Sequence, residues 1–228
     1  MSEYKTGGLR VVVIEFAGMP KSGKTTTMDI VSHYLKRCGM AVKEFHGGGR
    51  YAPMDKSHLG ALNLYLGCQA IEQVLELRTT SNGIPVAILD RALTDRLIFS
   101  RALCDLGRLS AQHLSAWQEL LNVPELRHSI DMTFVFTCTP QLSLQRENKD
   151  KLSTASGRIM NTDLLEALRT GALSITSGES PPCSKQLFHV DTEKFDGSPQ
   201  ATARLVVEHL RGIDALKDVP GPDSEGLR

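Results

Sequence analysis

Two hydrophobic periods alternate along this chain. Residues 9–18 (LRVVVIEFAG) form an apolar, β-branched run ending in glycine, the pattern of a buried strand. Residues 24–38 predict a helix that stops at Gly39, residues 40–46 (MAVKEFH) a second strand, and the glycines at 47–49 a loop. Across residues 58–80, Leu59, Leu62, Leu66, Ile71, Val74, Leu75 and Leu77 recur at helical spacing, and Ser81-Asn82-Gly83 marks the end of that helix. Residues 85–90 (PVAILD) predict a third strand; 92–106 and 110–121 predict helices parted by Gly107. A fourth strand over 131–138 stops before Pro140. Helices at 140–147 and 161–177 flank a loose, polar segment at 147–160, followed by a short strand at 186–191 and a closing helix at 197–213. The tail, 214–228, combines prolines and glycines with few large apolar groups, the composition of a frayed end.

Strands that alternate with helices pair in parallel through right-handed crossovers. Residues 1–213 therefore predict one three-layer α/β domain of about five parallel strands with helices on both faces. In such sheets ligands sit beyond the carboxyl ends of the strands, where Gly18, His46, Asp90 and Cys138 fall.

Composition narrows the classes. The chain has 228 residues, 26 Lys plus Arg against 26 Asp plus Glu, and 41% hydrophobic residues. That hydrophobic fraction excludes a disordered chain. The longest uncharged apolar run, Val11–Ile14, is far short of the ~20 residues of a membrane span. Balanced charge argues against bulk nucleic-acid binding. Five scattered cysteines without a CxxC pair predict reduced, mostly buried thiols rather than a disulfide framework or a zinc site. Residues 1–10 lack the apolar core of a signal peptide, and a cytoplasmic setting is expected.

Gly18-Met19-Pro20-Lys21-Ser22-Gly23-Lys24-Thr25 matches GxxxxGK[ST] in full, between a predicted strand and a predicted helix. This is the P-loop of an NTPase fold. Its glycines let successive backbone N–H groups wrap phosphate oxygens, and the helix opening near Gly23 adds the positive end of its dipole. Lys24 reaches the β- and γ-phosphates as a point charge, and the Thr25 hydroxyl suits Mg²⁺. These residues and Thr26 are the candidate contacts of a nucleoside triphosphate, with Thr25 and Asp90 as metal ligands. No guanine-reading Asn/Thr-Lys-x-Asp motif occurs, which argues against a GTPase switch. Asp90, at the tip of the third strand, reads either as a Walker-B acid or as an N-cap of the next helix. Arg91 follows it on the acceptor side.

The stretch ILDRALTDRLIFSRALCDLGRLS (88–110) resembles the region after the third strand of P-loop deoxynucleoside kinases and thymidylate kinases, where an acid–arginine pair precedes a helix. Asp95-Arg96-Leu97-Ile98-Phe99 resembles the S-D-R-Y-I-F run of the deoxynucleoside kinases, and FVFTCTPQLSLQR (134–146) their fourth strand and the start of a lid. Phe188–Asp191 resembles the strand before the adenine-side loop, so the resemblance spans the chain to about residue 213. It implies transfer of the γ-phosphoryl group of ATP, with Mg²⁺, to a (deoxy)nucleoside or nucleoside monophosphate. Asp90 would assist the metal, and Arg91 would hold a phosphate in the transition state. Arg146 and Arg158, with Lys149 and Lys151, would supply lid charge from 147–160, a basic loop that also excludes water. The resemblance further allows a homodimer through helices around Trp117, which light scattering decides.

Departures from the family leave the acceptor open. Its Glu-Pro after the second strand is here Glu44-Phe45-His46, followed by glycines, Arg50 and Tyr51. Glu44, His46 and Asp90 are rival proton acceptors, and His46, Arg50 and Tyr51 candidate substrate contacts beside a glycine turn. Gln69 stands where thymidylate kinases place a phosphate-gripping arginine; an amide can instead read a base edge. With Gln69, Asp95 and Arg91 complete the expected substrate side. A P-loop kinase of another small acceptor, and a non-catalytic ATP-binding module, are the competing expectations.

Overall fold

The computed structural model describes residues 10–47, 52, 53, 55, 57–79, 85–150, 160–178, 183–195 and 198–222. Arg50, Tyr51 and Arg158, most of the expected lid and the Ser81–Gly83 turn lie outside the described residues. The sheet has the order β2-β3-β1-β4-β5, formed by β1 (Val12–Gly18), β2 (Val42–Phe45), β3 (Val86–Asp90), β4 (Ile130–Thr137) and β5 (Ser184–Asp191). Every pairing is parallel. The register sets Phe16 beside Asp90 and Gly18 beside Phe136, so the ends of β1, β3 and β4 converge at one edge.

The helices are α1 (Lys24–Arg37), α2 (Leu59–Thr79), α3 (Leu93–Asp105), α4 (Ala111–Leu121), α5 (Pro140–Asp150), α6 (Thr162–Ser177) and α7 (Pro199–Leu210). The twofold alternation of a strand sorts them into layers. Val12, Ile14 and Phe16 face one side and pack with Met28, Val31 and Leu35 of α1 and Val206, Val207 and Leu210 of α7. Val13 and Ala17 face the other, against α2, α3, α4 and α6. Glu15 shares this second face and is fully buried. In α2, Gly67 lets Trp117 of α4 approach so closely that an added Cβ would lie 2.1 Å from its ring.

Three sequence expectations change. The tail is packed as far as it is described: Leu216 and Val219 bury in the α1–α7 core, and Tyr34 Oη donates to Pro220 O at 2.8 Å. Two well-placed apolar side chains suffice where composition suggested fraying. The helix expected over 140–147 runs on to Asp150. All the cysteines are unpaired, but only Cys138 and Cys183 are buried, and Cys68 is exposed. Among the described residues no helix is long and apolar enough to cross a membrane.

Candidate active site

The P-loop is shaped by backbone freedom and close approach. At Gly18 (φ 113°) an added Cβ would lie 2.1 Å from Phe136 O, so only glycine lets β1 pass β4 there. Lys21 (φ 54°) and Gly23 (φ 94°) also take left-handed conformations. Neighbouring elements pin the turn. Met19 N donates to Phe136 O at 3.0 Å, Ser143 Oγ to Pro20 O at 2.8 Å, and Arg146 Nη1 to Lys21 O at 3.0 Å. Gly23, the N-cap of α1, brings no capping side chain, and the first turn holds no acid. Its N–H groups and dipole therefore favour an anion.

Lys24 is buried behind this loop, donating to Met19 O and, at 3.3 Å, to Gly18 O and Ser22 Oγ. Burial, then the nearby Arg91 charge, lowers its pKa to about 7. A phosphate anion supplies the negative partner that would keep the ammonium charged. Thr25 Oγ1 donates to Asp90 Oδ2 at 3.1 Å, while Asp90 Oδ1 is buried with no hydrogen-bond partner among the described residues. A buried, unsatisfied carboxylate oxygen beside a hydroxyl fits a hard, oxygen-seeking divalent cation.

Beyond the loop, a charged knot joins β1, the β3 tip and α3. Arg91 sits at φ 68° and turns its guanidinium back, donating to Gly18 O at 3.1 Å and to both Asp95 oxygens at 3.1 and 3.0 Å. Asp95, fully buried, also accepts from Gly18 N at 2.8 Å and from Arg96 Nη2. Desolvation favours its neutral form, but Arg91, Arg96 and Lys24 outweigh it and hold the pKa low. Glu15 secures the base of the knot, accepting from the N–H groups of Ala92, Thr94 and Asp95 at 2.9, 3.1 and 3.0 Å. Burial pushes its pKa up against these donors. Glu15 thus performs the capping that sequence left open for Asp90, since the N-cap of α3 is Ala92, which has no capping side chain.

Two cavities open from this knot. One, of 550 Å³, follows the P-loop from Lys21 to Thr27 and continues past Asp90, Arg146, Lys149 and Thr192 to Pro199 and Thr202. The other, of 420 Å³, lies between α2, α3 and the start of α6, with Leu62, Leu66, Phe99 and Leu103 as its apolar wall. Asn63, Gln69, Gln73, Arg96 and His46 line it too. Arg91 borders both. Leu62, Leu66, Gln69 and Gln73 follow helical spacing along α2, which is why one face carries both apolar and amide groups.

The expected site residues divide accordingly. Lys21, Ser22, Gly23, Lys24, Thr25, Thr26, Asp90, Arg91 and Arg146 gather around the first cavity; His46, Gln69 and Arg91 around the second. Two placements correct the sequence reading. Asp95 does not line the 420 Å³ cavity; it is sequestered by Gly18 N, Arg91 and Arg96. Glu44 lines neither cavity. It is held on the α1 side of β2 by Ser32 Oγ and by Lys36 Nζ at 2.7 Å, because Phe45 takes the opposite, α2-facing side. Sequence reasoning also missed Glu15, Asn63, Gln73 and Arg96. Glu15 leaves a signal as a lone charge within an apolar strand, and Arg96 as part of the Asp95–Phe99 run.

No family model and no curated protein matches the chain. Solved structures do. Deoxyadenosine kinase from M. mycoides with bound dCTP is similar over 88% of this chain and 99% of that chain, at 18% identity and a TM-score of 0.60. The same enzyme with its products dCMP and a flexible dCDP gives a TM-score of 0.63 at 17% identity, over 88% of this chain and 99% of that one. With bound dATP the TM-score is 0.61 at 17% identity, over 87% and 98% of the two chains. The chain thus has the fold seen in deoxyadenosine kinase.

Proposed function

We propose that this chain is an ATP- and Mg²⁺-dependent phosphotransferase that moves the γ-phosphoryl group to a hydroxyl of a (deoxy)nucleoside. The observation that carries this reading is the position of Arg91. It is the one charged side chain bordering both the phosphate cavity and the apolar cavity among the described residues, where a phosphoryl group in transit would gather negative charge. The P-loop and Lys24 would hold the donor phosphates, with Arg146 and Lys149 above them. Thr25 and Asp90 are the residues to hold Mg²⁺, which when bound neutralises charge on the β- and γ-phosphates. The likeness to a kinase solved with dATP, dCTP and dCMP supports a deoxynucleoside as acceptor.

A cavity of 420 Å³ with an aromatic and aliphatic wall suits a planar base, and its amides suit a base edge. A nucleoside monophosphate, the thymidylate-kinase-like alternative, is less well supported. Gln69, which stands where a phosphate-gripping arginine would be, offers no charge, and Arg96, which lines this cavity and not the other, already pairs with Asp95. A homodimer belongs to the proposal, supported by exposed Leu64 (49%) on α2 and Leu120 (41%) on α4. The test is transfer from γ-labelled ATP to a panel of nucleosides and nucleoside monophosphates, with Lys24→Ala as control. Labelled nucleoside monophosphate is expected with at least one deoxynucleoside. No label above the control across the panel would contradict the proposal.

A further inference from the structure

We propose that His46, oriented by Glu44, is the base that accepts the proton of the acceptor hydroxyl, a refinement that rests on the phosphotransferase reading above. The residues lining the apolar cavity include His46, Arg91 and Arg96 as its only ionisable side chains among the described residues, and only His46 of these can take up a proton. The rival carboxylates are placed elsewhere. Asp90 lines the phosphate cavity but not the acceptor cavity, Asp95 is closed off by two arginines, and Glu44 lines neither.

Position favours the imidazole as well. His46 follows the last residue of β2, and the next residue, Gly47, packs on the β3 tip so tightly that an added Cβ would lie 2.7 Å from Asp90 O and 3.5 Å from Arg91 Cβ. His46 is thereby held beside the arginine that joins the cavities, at the mouth of the acceptor site. Its Nε2 stands 3.8 Å from Glu44 Oε2, whose other oxygen is occupied by Ser32 and Lys36. Among the described residues, the other charged groups near it are Asp29 on α1 and Arg91 across Gly47. The Glu44 carboxylate faces one ring nitrogen, which leaves the other for substrate.

In the proposed step that second nitrogen takes the hydroxyl proton as the acceptor oxygen bonds to the γ-phosphorus. The bond between that phosphorus and the β–γ bridging oxygen breaks, and its electron pair leaves with the nucleoside diphosphate. The imidazolium then returns its proton to water.

The experiment is the pH dependence of kcat for the wild type, His46→Gln and Glu44→Gln, with the best acceptor of the panel. His46→Gln is expected to lower kcat about 10²- to 10⁴-fold with little change in the KM for ATP, and to abolish the acid limb of the profile. Glu44→Gln, which keeps the imidazole but removes the carboxylate beside it, is expected to lower kcat by a smaller factor. An active wild type whose His46→Gln variant keeps kcat within about threefold and the same acid limb overturns this assignment alone. A wild type that transfers to no acceptor overturns it together with the phosphotransferase reading.

Discussion

Arg91→Ala is expected to lower kcat for phosphoryl transfer by about 10³- to 10⁵-fold, the range spanned by arginines that meet a transferring phosphoryl group. The structure gives the reason for a loss in kcat rather than in binding. The P-loop backbone and Lys24, the proposed donor contacts, keep their own residues in this variant, whereas Arg91 alone borders both cavities among the described residues. It is also held rigidly, by Asp95 at 3.0 Å and Gly18 O at 3.1 Å and by a backbone at φ 68°. Such preorganisation spares reorganisation during the reaction. Arg91→Lys should recover only part of the activity, since a single ammonium cannot span Asp95, Gly18 O and a phosphoryl oxygen. Steady-state kinetics checks this; a loss confined to the KM for ATP would contradict it.

The second large effect concerns stability. Glu15→Ala is expected to destabilise the fold by about 3–5 kcal/mol, measured by urea unfolding, because buried N–H donors lose their charged acceptor. Those donors belong to Ala92, Thr94 and Asp95, at the start of α3, so the knot of Asp95, Arg91 and Gly18 loosens with them. Glu15→Gln keeps one oxygen but turns an NH₂ group toward N–H donors, and should fall between the wild type and the alanine variant. An unchanged unfolding midpoint for Glu15→Ala would show that α3 needs no acceptor from β1.

Much of this architecture is legible in the residues themselves. The apolar runs at 11–14 and 86–89 read as strands, and Gly18 to Thr25 implies its own strand–loop–helix setting. Asp90-Arg91 at a strand tip implies a place beside that loop. What local pattern cannot reveal is the phase of a helix against partners distant in sequence. Arg96, Phe99 and Leu103 share the face of α3 that lines the apolar cavity, while Asp95, about 100° round the helix, turns to the P-loop. One position separates a cavity-lining side chain from a buried anchor. Glu44 poses the same problem on β2, where Phe45 fixes the alternation only once α2 is known to cover it. The buried role of Glu15 depends on where α3 begins, some 77 residues later in the chain.

In the proposed reaction, two adjoining cavities would hold donor and acceptor together across Arg91. Titration calorimetry with a single molecule that joins adenosine to a deoxynucleoside through a polyphosphate chain examines this most directly. Binding at one site per chain, about 10²-fold or more tighter than ATP or the deoxynucleoside alone, is the expected result. Binding no tighter than ATP, unaffected by saturating deoxynucleoside, would mean that the apolar cavity is not the acceptor site.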